Sequence, residues 1–179
     1  MGWSESSPIR RFDQKLLEGL SDAGDALRVL QTIPGVDLMG AAMLLVEIGT
    51  DMSVWENEER LASWVGICPG NHESAGQRKS GRTRKGNPYV RRLLCQFAHA
   101  ASRTESTFKA KFQGLLVRRG RKRAIVAIAH KLLRTIFFML KRGQHYRDTT
   151  VNYEEMSVKR NAARWIKKLT EFGFLPQPA

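Results

Sequence analysis

Only two cysteines, Cys68 and Cys95, occur in the 179 residues. Two thiols cannot build a four-thiolate zinc site, and their spacing fits no zinc or thioredoxin motif, so reduced, buried thiols in a cytosolic protein are expected. No apolar run reaches the roughly 20 residues that span a bilayer, and the N-terminus lacks the apolar stretch of a signal peptide, which argues against a membrane partner. The opening "MGWSES" fits a loose myristoylation pattern that nothing else supports. Strands, internal repeats and low-complexity tracts are not evident. Carboxylates are scarce where cations are dense: residues 67–147 hold twenty Lys/Arg but only Glu73 and Glu105. Metal-dependent nucleic-acid chemistry needs clustered carboxylates, so a self-sufficient metallonuclease is not expected.

The charge that is present is concentrated. Net charge is +13 and the pI about 10.3, yet residues 1–66 carry five Lys/Arg against eleven Asp/Glu, and residues 148–179 five against four. The excess therefore belongs to the middle segment and reads as a footprint for a polyanion, nucleic acid ahead of an anionic membrane. The length, with 42% hydrophobic residues, allows one domain with a core, or one domain plus a helical extension.

Periodicity predicts an all-α chain. Ile9, Phe12, Leu16, Leu20, Ala23, Leu27 and Leu30 form one helical stripe, which fits the end of a coiled coil (residues 1–30) or an ordinary packed helix. In "LQTIPGVDLMGAAMLLVEIG", Pro34-Gly35 is a break, Asp37 a cap and Gly49 a stop. The pair resembles a helix-hairpin-helix element, in which Gly35 would let a phosphate approach the backbone; any αα-hairpin with a Pro-Gly turn fits equally. "NEERLASWVG" predicts a short helix capped by Asn57 with Leu61, Trp64 and Val65 inward. Asn87 and Pro88 should start a helix that buries Val90, Leu93, Leu94, Phe97 and Ala101. A further helix should bury Phe108, Phe112, Leu115 and Leu116. The apolar run after Gly120 should be the central helix, stopped by Gly143, with His130 a core or boundary residue rather than a catalyst. A last helix should bury Met156, Ile166 and Leu169. Residues 31–179 are read as one helical domain.

Between Ile67 and Gly86 periodicity disappears. A long loop of this kind inside a domain is usually functional or disordered. It runs into the stretch "HESAGQRKSGRTRKGNPYVRR", His72 to Arg92, with seven cations, three glycines and Ser74 and Ser80. Arg78, Lys79, Arg82, Arg84 and Lys85 could hold a phosphate backbone with Gly86 and Asn87, while Arg91 and Arg92 open the next helix, where cations oppose the helix dipole unless an anion is near. A serine that attacks a phosphodiester needs such donors, because charge develops on the phosphoryl oxygens. A serine that merely contacts phosphate in a non-enzymatic binding module has the same surroundings.

The segments "IPGVDLMGAAMLLVEIGTD", "LASWVGICPGNHESAGQRKSGRTRKGNPYVRRLL" and "GRKRAIVAIAHKLL", in that order and spacing, resemble the C-terminal transposase domain of the IS-one-ten and IS-eleven-eleven insertion-sequence family. The likeness runs from about Leu30 onward. It implies a cytoplasmic, nucleoid-associated DNA recombinase with a serine nucleophile, which falls on Ser74 with Ser80 in reserve. It also implies a RuvC-like domain holding Mg2+ through a DEDD carboxylate set that this chain does not contain, a guide RNA, and oligomers formed through a coiled coil. A chain without the carboxylate domain should bind nucleic acid but not recombine it alone.

Overall fold

The computed structural model describes residues 8–68, 72–74, 77–80, 85–148 and 153–176; for the residues within 72–80, and for Tyr153, Glu154 and Ser157, it describes backbone alone. Eight α-helices carry the described chain: α1 Pro8–Glu18, α2 Gly24–Gln31, α3 Leu38–Ile48, α4 Glu58–Val65, α5 Pro88–Ala101, α6 Thr107–Arg119, α7 Arg121–Arg142 and α8 Tyr153–Glu171. The fold is all-α, as periodicity predicts. An addition is a short antiparallel hairpin inside the basic segment, β1 His72–Ser74 with β2 Gln77–Ser80. No alternation of apolar residues announces it, because seven polar residues form these strands.

The apolar N-terminal stripe is not one helix. The chain leaves α1 at Glu18 and makes a 3-10 turn over Ser21–Ala23 before α2 begins at Gly24. Gly19 and Gly24 flank the break, where their cost to a continuous helix is avoided. Leu27, Val29 and Leu30 are buried, whereas Phe12 stays 61% exposed on α1.

The core is built around α7. Its 22 residues span about 33 Å at 1.5 Å per residue. Ile125, Ile128, Ala129, Leu132, Leu133, Ile136 and Phe137 are buried along it, and α2, α4, α5 and α6 pack against it. Gly143 ends it in the left-handed region, its amide donating to Leu140 O. Small residues let α3 approach closely: a Cβ at Gly40 would lie 2.5 Å from the Phe97 ring of α5.

Caps define the other boundaries. Asp37 accepts from the Gly40 amide at 2.9 Å, and Asn57 accepts from Glu59 and Arg60 at 3.1 and 2.9 Å. The start of α6 is held from far along the chain, because both Asp148 carboxylate oxygens accept from the Thr107 amide at 3.1 Å. The Tyr146 hydroxyl donates to the same carboxylate at 2.9 Å, its amide donates to Thr32 Oγ1 at 2.8 Å, and its ring stacks on Phe108.

Three burial expectations fail, each at a helix edge. Trp64 is partly exposed and packs on Trp55, ring centroids 4.9 Å apart. Leu116 lies at the outer edge of α6. On α8, which packs chiefly on α6 among the described helices, Met156, Ile166 and Leu169 are all exposed. One supporting helix cannot cover both flanks of an amphipathic stripe.

Candidate nucleic-acid interface

The basic excursion leaves and re-enters the helical body at one point. Its outgoing end follows α4, where Gly66 adopts the left-handed conformation and its amide donates to the Ser63 carbonyl. Its returning end is Gly86-Asn87. A Cβ at Gly86 would sit 2.4 Å from the Gly66 nitrogen and from the Val65 carbonyl carbon. The Asn87 amide donates to Trp64 O at 3.1 Å. Both roots are thereby locked against the C-terminus of α4.

Asn87 completes the lock with its side chain. Oδ1 accepts from the Tyr89 and Val90 amides at 2.9 and 3.1 Å, the expected cap on α5. Nδ2 donates to Glu47 Oε2 of α3 at 2.7 Å. Gly86 and Asn87, anticipated as backbone-binding residues, thus have structural duties that explain their identity without a ligand. Of the two, Asn87 was legible in the sequence as a helix cap.

Arg91 and Arg92 separate. Arg92 is exposed, whereas Arg91 is half-buried and turns toward the end of α4, its guanidinium 3.5 Å from Val65 O. A cation is unfavourable at the start of α5 but favourable at the carbonyl end of α4, so the fold itself supplies the negative partner that was expected from a ligand. Lys85 is exposed at the returning root.

In the hairpin, Ser74 pairs with Gln77, Glu73 with Arg78 and His72 with Ser80, with an irregularity between His72 and Glu73. Ser74 is thus at the turn end and Ser80 at the root end. They are separated by roughly 10 Å, three residues of strand. Arg78 and Lys79 lie on β2; Arg82 and Arg84 lie outside the described residues.

Gly35 is accounted for by packing. Its φ is +86°, and a Cβ there would lie 2.6 Å from the Ala101 nitrogen and 2.8 Å from Ala100 Cβ. The close approach expected of a phosphate is made by α5. Turn amides at Ile33 and Val36 already donate to Leu30 O and Ile33 O.

Beside the outgoing root, Cys68 Sγ lies 4.0 Å from His130 Nε2 on α7. Burial lowers the His130 pKa below its ordinary 6.5, and Arg134 and Lys111 add to the effect against the opposing pull of Glu59. His130 stands at the boundary of the core, half-buried on α7. Cys95, also half-buried, has its thiol pKa raised by burial. Among the described residues no three His, Cys, Asp or Glu side chains converge to hold a metal ion. Nor is any described helix long and apolar enough to cross a membrane.

Residues 27–113, spanning α2 to α6 and hence both roots of the excursion, match the family model "Transposase IS116/IS110/IS902 family". The chain belongs to this transposase family. It is 31% identical over 145 residues to an inferred transposase of Sinorhizobium fredii, covering 78% of this chain and 37% of that protein. It is 29% identical over 136 residues to the transposase for insertion sequence element IS1111A of Coxiella burnetii, covering 73% and 37%. An inferred family 20 transposase of Pseudomonas aeruginosa is 30% identical over 131 residues, covering 69% and 38%. The chain spans little more than a third of the length of these relatives. Within this transposase fold, the matched region brings Glu47, Gly66, Gly86 and Asn87 together at the root of the basic excursion.

Sequence reasoning singled out the excursion but passed over a second cationic cluster. Arg118, Arg119, Arg121, Lys122 and Arg123, at the corner between α6 and α7, are all exposed. The run was visible in the sequence. It was absorbed into a helical motif because nothing in the spacing shows that a corner projects it outward.

Proposed function

We propose that this chain is the DNA-binding, serine-bearing part of an insertion-sequence transposase. The observation that carries the reading is the excursion at 67–86, pinned at one point of a rigid helical body and carrying two serines among Arg78, Lys79, Arg82, Arg84 and Lys85. A fixed root at both ends of a polar, cationic segment suits a group that must meet a phosphate backbone. Exposed Arg92 and Lys85 extend the positive field at that root.

Ser74 is the proposed nucleophile. Its Oγ forms a bond to a DNA phosphorus, one P–O ester bond breaks, and the departing strand end carries away the serine proton as a hydroxyl. The cations offset charge on the phosphoryl oxygens. The phosphoserine link keeps the strand activated for rejoining. Guide RNA, oligomeric assembly and a separate Mg2+-binding RuvC-like domain belong to the same proposal.

The test is a protein–DNA adduct. The chain is combined with a RuvC-like domain in trans, guide RNA, and donor and target DNA, and covalent product is resolved under denaturing conditions. Ser74→Ala should abolish the adduct and Ser80→Ala should leave it. The reverse pattern moves the nucleophile to Ser80. An adduct untouched by either change places the nucleophile on neither serine and overturns the assignment, whereas binding with no adduct at all makes the chain a non-enzymatic nucleic-acid-binding module.

A further inference from the structure

The α6–α7 corner reads Arg118-Arg119-Gly120-Arg121-Lys122-Arg123, five cations in six positions, and no Asp or Glu occurs from Ser106 to Arg147. All six residues are exposed. Arg118 and Arg119 end α6, and the other three form the first turn of α7, which has no side-chain cap and no acidic residue. Three cations stand at the positive end of a helix, where the dipole disfavours them. Their mutual repulsion adds to that, and the ion pairs seen among the described residues, from Arg28–Asp25 to Lys167–Glu171, lie elsewhere.

The corner is distinct from the excursion. His130, which touches Cys68 at the outgoing root, stands nine residues along α7 from Arg121, about 14 Å at helical rise. Four of its five cations are arginines, whose planar forks pair bidentately with phosphate. From Gln113 to Thr135 there is no Phe, Tyr or Trp. Single strands are held by aromatic stacking platforms, which the corner's own stretch of chain does not supply, whereas a duplex offers a dense line of phosphates that needs none.

We propose that the Arg118–Arg123 corner is a second nucleic-acid contact, a sequence-independent grip on the phosphate backbone of a duplex. It takes from the functional reading only that this chain meets nucleic acid, and it is independent of which serine reacts.

Binding of the full chain to a random-sequence DNA duplex, an RNA hairpin stem and an unstructured oligonucleotide is measured across a salt series. The set Arg118/Arg119/Arg121/Lys122/Arg123→Gln should lower duplex affinity at least about tenfold and make the log-log salt slope shallower by about 3 to 5. Lys122→Glu alone places an acid where the α7 dipole favours one, so it should fold at least as well as wild type while binding duplex more weakly. Loss on the DNA duplex, the RNA stem or both supports the corner and identifies its duplex. Wild-type affinity and slope in both corner variants, with Arg82/Arg84/Lys85→Gln impaired, overturns the corner and leaves the functional reading standing. Loss confined to the unstructured strand also overturns it. A wild-type chain that binds none of the three overturns both readings.

Discussion

Asn87 donates from Nδ2 to Glu47 Oε2 at 2.7 Å, and this bond joins α3 to the point where the basic excursion returns to the body. The same side chain caps α5 through Oδ1. Asn87→Ala should therefore destabilise the fold by about 2 kcal/mol, a cap plus a hydrogen bond. Asn87→Asp keeps the cap acceptor but sets a second carboxylate against Glu47, so its deficit at neutral pH should shrink as the pH falls toward 4, roughly the carboxylate range. Urea unfolding at the two pH values measures both.

Gly86→Ala should cost roughly 1–3 kcal/mol, since its new methyl meets the backbone of Val65 and Gly66, which cannot rotate away. Gly120→Ala faces open space and meets only the strain of a positive φ, +75°, about 1 kcal/mol. Thermal melts should order the two, and Gly86→Ala should also weaken DNA binding, by displacing the root of the excursion.

His130 makes stability depend on pH. Its folded pKa is lowered by burial and by Arg134 and Lys111, so below an unfolded value near 6.5 the unfolded chain binds the proton that the folded chain refuses. Stability should fall as pH drops from about 6.5 toward the lowered folded value, and level off below it. Melting temperatures across pH 5 to 8 (a range of roughly the His titration) should show this slope flattened in His130→Gln.

Asp148→Ala removes the acceptor of both the Thr107 amide and the Tyr146 hydroxyl. A loss of about 1–2 kcal/mol is expected. Hydrogen exchange should localise the loosening to the first turn of α6, with α3 and α4 unaffected.

Most helices were legible because their signals are local. Asn87-Pro88 starts α5 and Asp37 starts α3 through side chains within three residues of the amides they bind. The break between α1 and α2 was written in Gly19 and Gly24, but a regular apolar stripe across it concealed it. The hairpin was not legible, because polar strands carry no inside-outside alternation. Met156, Ile166 and Leu169 misled for a complementary reason: an amphipathic pattern states that a face is apolar, not that anything covers it.

The sequence by itself determined a helical chain, a cationic middle and the position of two serines within it, since composition and spacing act at short range. The tertiary structure alone decided which cations are spoken for. Arg91 stands in line with Arg92, yet packing turns it onto the Val65 carbonyl at the end of α4, and Gly86 and Asn87 become the clasp of the excursion. Arg118 to Arg123, by contrast, are projected to solvent by a helix corner. Charge is a property of residues, but its availability to a partner depends on which neighbours the fold has already placed against it.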